Sequence, residues 1–315
     1  MTGVHSTPRS VLFLSVDLVG STKYKQQTDD WQRAFLSFYR EFPQQLAAEI
    51  GTRRLSIAPK LWKPVGDELI FRVDVLRESD VLDAIECWLA AMHEYEQSSL
   101  ANLSLSTKGG AFIATFPGPD SEVAVPIDPS TEQSDKTPEL LNEEALAKRD
   151  RDRYLYDYFG PSIDTGFRVV SACTERYFTL SLEVAWTLSR AALATNLGQY
   201  NGLVFRKSHE FKGVWNGREY PLFAIDRQIS DPVHEALRSL DGDTHASAEN
   251  IETLARACGK SGNWPFCVYL PDSQQAAFNI APTLPERISQ NAMEGSEIYV
   301  EDEGGKSLSE DAVIT

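Results

Sequence analysis

Apolar positions fall into runs whose period changes along the chain, and the changes mark the elements. Residues 11–18, VLFLSVDL, form the nearly continuous apolar run of a buried strand. In residues 23–50, Trp31, Phe35, Phe38 and Leu46 recur at helical spacing. This stretch predicts one long helix, with Pro43 as a point of kinking or splitting and Gly51 as its stop. Residues 55–63 and 68–75 predict two strands joined through Pro64, Val65, Gly66 and Asp67, a hairpin with Asp67 at its tip. A second helical pattern, 79–95, carries Val81, Ile85, Trp88, Leu89 and Met92 on its apolar side, and 103–116 predicts a strand interrupted by Gly109 and Gly110.

The order βαββαβ implies an α+β fold of ferredoxin-like type, an antiparallel sheet with both helices on one face. Residues 117–153, rich in proline, serine and charge, read as an insertion with a short helix at 139–148. Beyond it the pattern predicts a helix at 162–175, a strand at 177–182, a helix at 183–194 and strands at 203–206 and 220–225. From about residue 230 the character changes to two helical patterns, 232–240 and 248–257, a strand at 266–270 and an acidic tail. The sequence therefore divides into a domain of residues 1–228 and a C-terminal α/β accessory module, 229–315. Repeats at periods of roughly 20 to 50 residues are absent, which excludes a solenoid.

A hydrophobic content of 42% over 315 residues fits a soluble globular protein. The net charge of −16 argues against wrapping a nucleic-acid backbone, while leaving room for a locally basic nucleotide pocket. Cys87, Cys173, Cys258 and Cys267 lack CxxC spacing and read as reduced core thiols, not zinc ligands. No window approaches the roughly 18 apolar residues of a membrane helix, and the N-terminus has no signal core, so a cytoplasmic protein is expected.

The chemistry sits at the strand edges. Asp17 ends the first apolar strand and Asp67 follows Gly66 in the hairpin, two carboxylates with no histidine or cysteine nearby. Hard oxygen ligands of this kind suit two divalent cations, Mg²⁺ or Mn²⁺, carried by nucleotide phosphates. Gly20, Ser21 and Thr22 lead into the predicted helix, whose free N–H groups suit a triphosphate. Further on, Arg168 lies one helical turn beyond Asp164, and Lys212 precedes a glycine in a predicted turn. Such cations meet the charge that develops in phosphoryl transfer. Singly, each residue has a plain reading: Asp17 and Asp164 as helix caps, Asp67 as a turn residue, Arg168, Lys212 and Asp157 as solvated surface.

In this order the segments VDLVGST, KPVGD, DYFGPSIDTGFR and FKGV resemble those of the class III nucleotidyl cyclases, over residues 8–226. The resemblance implies a homodimer whose active sites form between two cyclase domains. It implies Asp17 and Asp67 as metal ligands with the main chain of Leu18, and Val19, Gly20, Ser21 and Thr22 around the triphosphate. Lys63 and Asp157 match the base-reading pair, Arg168 the arginine that stabilises the pentavalent phosphate, and Lys212 a triphosphate-binding lysine. Asp164 stands where that family has a ribose-orienting asparagine, a departure from its pattern.

The lysine–carboxylate pair satisfies the hydrogen-bonding edges of adenine, cytosine and uracil alike. Trp62, Tyr154, Tyr156, Tyr158 and Phe159 crowd the base-reading segments, and a narrowed pocket favours a single-ring base, although strand alternation faces Trp62 away from Lys63. The wording KPVGDELIF and GPSIDTGFR and the appended C-terminal stretch are most similar to the pyrimidine cyclases of the bacterial Pycsar antiphage systems. That resemblance implies conversion of UTP to cyclic UMP as a signal for a partner effector, with CTP and then ATP as alternatives. Two rivals remain, a diguanylate-cyclase-like palm domain suggested by VGDELIF, and a catalytically silent nucleotide sensor.

Overall fold

The computed structural model describes residues 7–132, 134–195, 199–241 and 247–282. Residues 1–283 form one unit and 284–315 a second, which lies outside the described residues together with the expected acidic tail.

The first half runs β1 (Arg9–Val19), α1 (Ser21–Gln27), α2 (Trp31–Arg53), β2 (Lys60–Val65), β3 (Glu68–Val75), α3 (Glu78–Ser98) and β4 (Ser106–Phe116). An excursion follows, β5 (Ser121–Pro126), α4 (Pro138–Lys148) and β6 (Tyr154–Phe159), in which β5 and β6 pair as an antiparallel ribbon. Then come α5 (Pro161–Ser171), β7 (Tyr177–Leu180), α6 (Leu182–Ala194), β8 (Leu203–Glu210), β9 (Glu219–Asp226), α7 (Pro232–Asp241) and α8 (Ala248–Lys260). Among the described residues the main sheet has the order β2-β3-β1-β4-β7-β9-β8, antiparallel except where β4 meets β7. The expected α+β architecture is present, with β2-β3-β1-β4 as its ferredoxin-like half.

Alternation along β1 sorts the core into two faces. Leu14 pairs with Phe71, whose ring meets Trp88 of α3, and Trp88 in turn meets Phe42 of α2. Phe13 faces the other way, stacked on Phe112 at 4.9 Å, and over this pair lies α5, where Gly166 leaves no room for a side chain because an added Cβ would meet the Phe112 ring at 2.2 Å. Helices α2 and α3 thus share one face, and α5 presses on the other.

Four local expectations change. The long first helix is two, broken at residues 28–30, while Pro43 sits inside α2 without ending it and the helix runs past Gly51 to Arg53, where Arg54 takes the left-handed cap instead. The β2 strand begins at Lys60, not residue 55. Gly109 and Gly110 do not interrupt β4: they let neighbouring chains approach, since an added Cβ would fall 2.0 Å from the Ser15 carbonyl oxygen or 2.5 Å from Thr179 Oγ1. Residues 266–270 form no strand, because no neighbouring strand among the described residues supplies a ladder: Ser10 Oγ accepts from the Tyr269 N–H (2.9 Å), Thr115 Oγ1 donates to the Cys267 carbonyl (2.7 Å), and the Leu270 N–H donates to the Phe278 carbonyl of the following loop (2.7 Å). This strap also accepts at the Pro265 carbonyl from Ser162 Oγ of α5 (2.8 Å), and its Phe278 ring lies 4.4 Å from that of Trp186. All four cysteines are free thiols, and burial pushes Cys173, Cys258 and Cys267 up to about 11.

Glu183, in the first turn of α6, is buried beneath the strap, where Trp264 Nε1 donates to its Oε1 at 2.8 Å while Oε2 has no partner. Burial raises its carboxyl to about 7. A raised acid favours the folded state fully below the unfolded value of 4.5, and that support is lost as pH climbs through about 7. The Glu183→Gln variant should therefore match or fall below the parent in stability at pH 5 and exceed it by about 3 kcal/mol at pH 8, read by denaturant titration at both pH values.

Candidate active site

The β1 strand delivers Asp17 to the end of the sheet, and the β2–β3 hairpin brings Asp67 beside it. Gly66 takes φ +62° at the hairpin turn, and the Leu18 N–H donates to the Asp67 carbonyl at 3.3 Å. The Tyr39 hydroxyl of α2 donates to the Gly66 carbonyl, which fixes the tip from the helix side. Opposite Asp17 across the strands sits Glu68, whose carboxylate accepts from the Ser15 hydroxyl. On the other flank Lys108 of β4 pairs with Asp17, Nζ to Oδ2 at 3.1 Å.

Three carboxylates and one lysine leave this group short of positive charge. Burial pushes the Asp17 carboxyl up, the Lys108 ion pair opposes that, and the Asp67 charge adds to it. Glu68 is raised too, by burial first, against its bond from Ser15, and with the charges of Asp17 and Asp67 adding to the shift. Clustered oxygen donors with surplus negative charge are what Mg²⁺ or Mn²⁺ takes, so the donor set of Asp17, Asp67 and nearby carbonyls fits hard divalent cations. Among the described residues, no group of three or more histidine, cysteine, aspartate or glutamate side chains converges as a ready-made protein cage. Any ions would complete their shells with water and phosphate, the usual habit of Mg²⁺.

After Val19 the chain turns at Gly20, whose φ of +81° and closeness to the Ser104 carbonyl (3.0 Å from an added Cβ) exclude a side chain. Ser21, buried, and Thr22, exposed, then open α1, which at seven residues is far shorter than the helix expected there.

A second group forms where β2 meets β6. Lys63 Nζ donates to both carboxylate oxygens of Asp157, each at 3.0 Å, and Asp157 Oδ1 also accepts from the Tyr158 N–H at 2.8 Å. The β2–β3 register shifts between Leu61 and Lys63, and this bulge cancels the alternation expected of Trp62. Both side chains therefore turn to one side, with Lys63 Nζ 4.1 Å from the centre of the Trp62 ring and 5.6 Å from that of Phe167. Tyr158 closes on Trp62 at 5.3 Å, whereas Tyr154 and Tyr156 pack against each other beside α4, and Phe159 is exposed.

Asp164 and Arg168 occupy the exposed face of α5, and Lys212 is exposed in the turn between β8 and β9, ahead of Gly213 at φ +76°. Among the described residues no hydrogen bond or ion pair joins the Arg168 or Lys212 side chain to either group. One protomer thus assembles Asp17 with Asp67, and Lys63 with Asp157, and leaves the later cations facing outward.

No family model matches this sequence, and no curated protein does. Solved structures do resemble the fold. The guanylyl cyclase Cya2 aligns at 15% identity over 70% of this chain and 92% of its own, with a TM-score of 0.44. The adenylyl cyclase CyaB from P. aeruginosa gives 12%, 70%, 96% and 0.47 in the same terms, and the guanylate cyclase domain of RhGC from Catenaria anguillulae gives 10%, 71%, 100% and 0.44. At such scores the chemistry must rest on the side chains themselves.

Two members of the acidic group are absent from the sequence reading. Glu68 is adjacent to Asp67 in GDE, and its place opposite Asp17 follows once the β1–β3 register is known. Lys108 precedes the two glycines of KGG, the first of which lets this part of β4 run close against β1 and the second against β7.

Proposed function

We propose that this chain is a nucleotide cyclase that converts UTP to 3′,5′-cyclic UMP and pyrophosphate, acting as a homodimer. The observation that carries the reading is the pairing of two separate groups in one protomer, a cation-deficient carboxylate cluster at Asp17 and Asp67 and a preformed donor–acceptor pair at Lys63 and Asp157.

In the proposed reaction the 3′-oxygen attacks the α-phosphorus, the bond to the β-phosphate oxygen breaks, and the hydroxyl proton passes to solvent. Two divalent cations held by Asp17, Asp67 and the main chain of Leu18 would acidify that hydroxyl and neutralise the departing pyrophosphate. Val19 to Thr22 would surround the triphosphate. Lys63 donates to the base and Asp157 accepts from it, after their mutual ion pair opens. Arg168 and Lys212, outward-facing in one protomer, suit a role across a dimer interface, where Arg168 would stabilise charge on the transferring phosphate and Lys212 the triphosphate. Asp164, one turn before Arg168, would accept from a ribose hydroxyl.

The choice of a pyrimidine is supported by the bulge at Trp62, which puts an indole ring 4.1 Å from Lys63 Nζ, where it would crowd a two-ring base. UTP is preferred to CTP, and CTP to ATP. A cyclic UMP signal read by an effector in antiphage defence completes the reading. No helix among the described residues is long and apolar enough to cross a membrane.

The test is to incubate purified protein with Mn²⁺ and each of the four ribonucleoside triphosphates, then measure pyrophosphate and the cyclic product. UTP should give cyclic UMP at the highest rate. A higher rate with ATP or GTP would overturn the pyrimidine reading, and binding without product would leave a nucleotide sensor.

A further inference from the structure

The acidic group at the end of β1 contains a cation of its own. Lys108 stands directly opposite Asp17 in an antiparallel ladder that runs from Arg9↔Phe116 to Val19↔Ser106. The pairing is held close, because Gly109 lets β4 come within contact of the Ser15 carbonyl. Nζ lies 3.1 Å from Asp17 Oδ2, with the two side chains only 34% and 24% exposed. This is a strand-anchored, partly dehydrated ion pair, unlike the loose surface pairs that contribute little. It also takes one of the two oxygens that Asp17 can offer a divalent ion.

We propose that Lys108 is the site's internal counter-ion, a positioning residue that holds Asp17 when no divalent cation is bound and competes with that cation for the carboxylate. The inference rests on reading Asp17 as a cation ligand. Three carboxylates gathered at one strand end repel one another, and Lys108 is the positive group that offsets this in the metal-free protein. Its four-carbon stem lets the ammonium swing away from Asp17 without moving the backbone of β4. A lysine held this close raises the concentration of divalent ion needed to fill the site, so occupancy follows the ion supplied with a nucleotide more than free ion alone. A purely structural ion pair would alter stability and leave cation affinity unchanged.

The experiment is a titration of nucleotide-free protein with Mn²⁺, reading free Mn²⁺ by electron paramagnetic resonance, on the parent and on Lys108→Met, Lys108→Gln, Lys108→Arg and Asp17→Asn. Loss of the lysine charge should tighten Mn²⁺ binding about tenfold or more in the Met and Gln variants. The arginine variant should stay near the parent, and Asp17→Asn should lose the site. Thermal melting identifies any variant that fails to fold, and the Met and Gln variants substitute for each other in that case. Affinity in both neutral variants equal to or weaker than the parent, with binding still dependent on Asp17, overturns the role of Lys108 alone. Binding indifferent to Asp17, or absent from every protein, overturns both this inference and the cation-site reading.

Discussion

Asp17→Asn should reduce cyclic-nucleotide formation by a factor of about 10³ or more at saturating Mn²⁺, with Asp67→Asn close behind. The amide keeps the shape of the side chain but cannot supply the negative charge that holds a divalent ion among hard oxygen donors. Stability should move far less. Burial already pushes the Asp17 carboxyl up, so the ionised form is held at a cost that the amide avoids, while Lys108 loses its partner. These effects oppose each other, and the variant should melt close to the parent, within about 1 kcal/mol. Steady-state turnover with pyrophosphate detection, alongside a denaturant titration, separates the two readouts. Turnover within tenfold of the parent would remove Asp17 from the chemistry.

Gly109→Ala should be strongly destabilising. Its Cβ would stand 2.0 Å from the Ser15 carbonyl oxygen, 3.0 Å from the carbon behind it and 3.3 Å from the Phe178 ring. A backbone carbonyl in a paired strand has nowhere to retreat, so β1 and β4 must separate or the ladder must break. Overpacking of this kind costs typically 1–3 kcal/mol, and a clash with main chain belongs at or above the top of that range. Gly51→Ala is the matched control, since nothing lies within 4 Å of its added Cβ and the residue is helical, so it should stabilise by about 0.5–1 kcal/mol. Urea unfolding of the two variants should show opposite signs. Similar midpoints for both would mean that β4 does not lie as close to β1 as described.

Much of the architecture was legible because local pattern and global fold agree. The apolar run of β1, the helical spacing of Phe35, Phe38 and Leu46, and the glycine-marked hairpin each specify one element without reference to a distant neighbour. What escaped the reading depends on strand register. Trp62 was expected on the face opposite Lys63, and only the mismatch between β2 and β3 turns both to the same side. Lys108 has no motif of its own and acquires meaning from standing opposite Asp17. The strap at residues 266–270 has strand-like composition but bonds to Ser10 and Thr115 side chains, a choice that no period encodes. Asp17 and Asp67 were singled out by their strand-edge positions, and Lys63 and Asp157 by the family resemblance; in the structure the Leu18 N–H meets the Asp67 carbonyl and Lys63 meets Asp157, contacts that leave the roles of these residues to the experiments above.

The strap has a practical corollary for anyone trimming the gene. A fragment ending at Asp226 would keep every strand of the main sheet, yet uncover the Trp186 ring and leave Ser10, Thr115, Ser162 and Glu183 without the bonds that the strap supplies. The shortest piece that retains those seals runs through Phe278, well past β9, the last strand among the described residues.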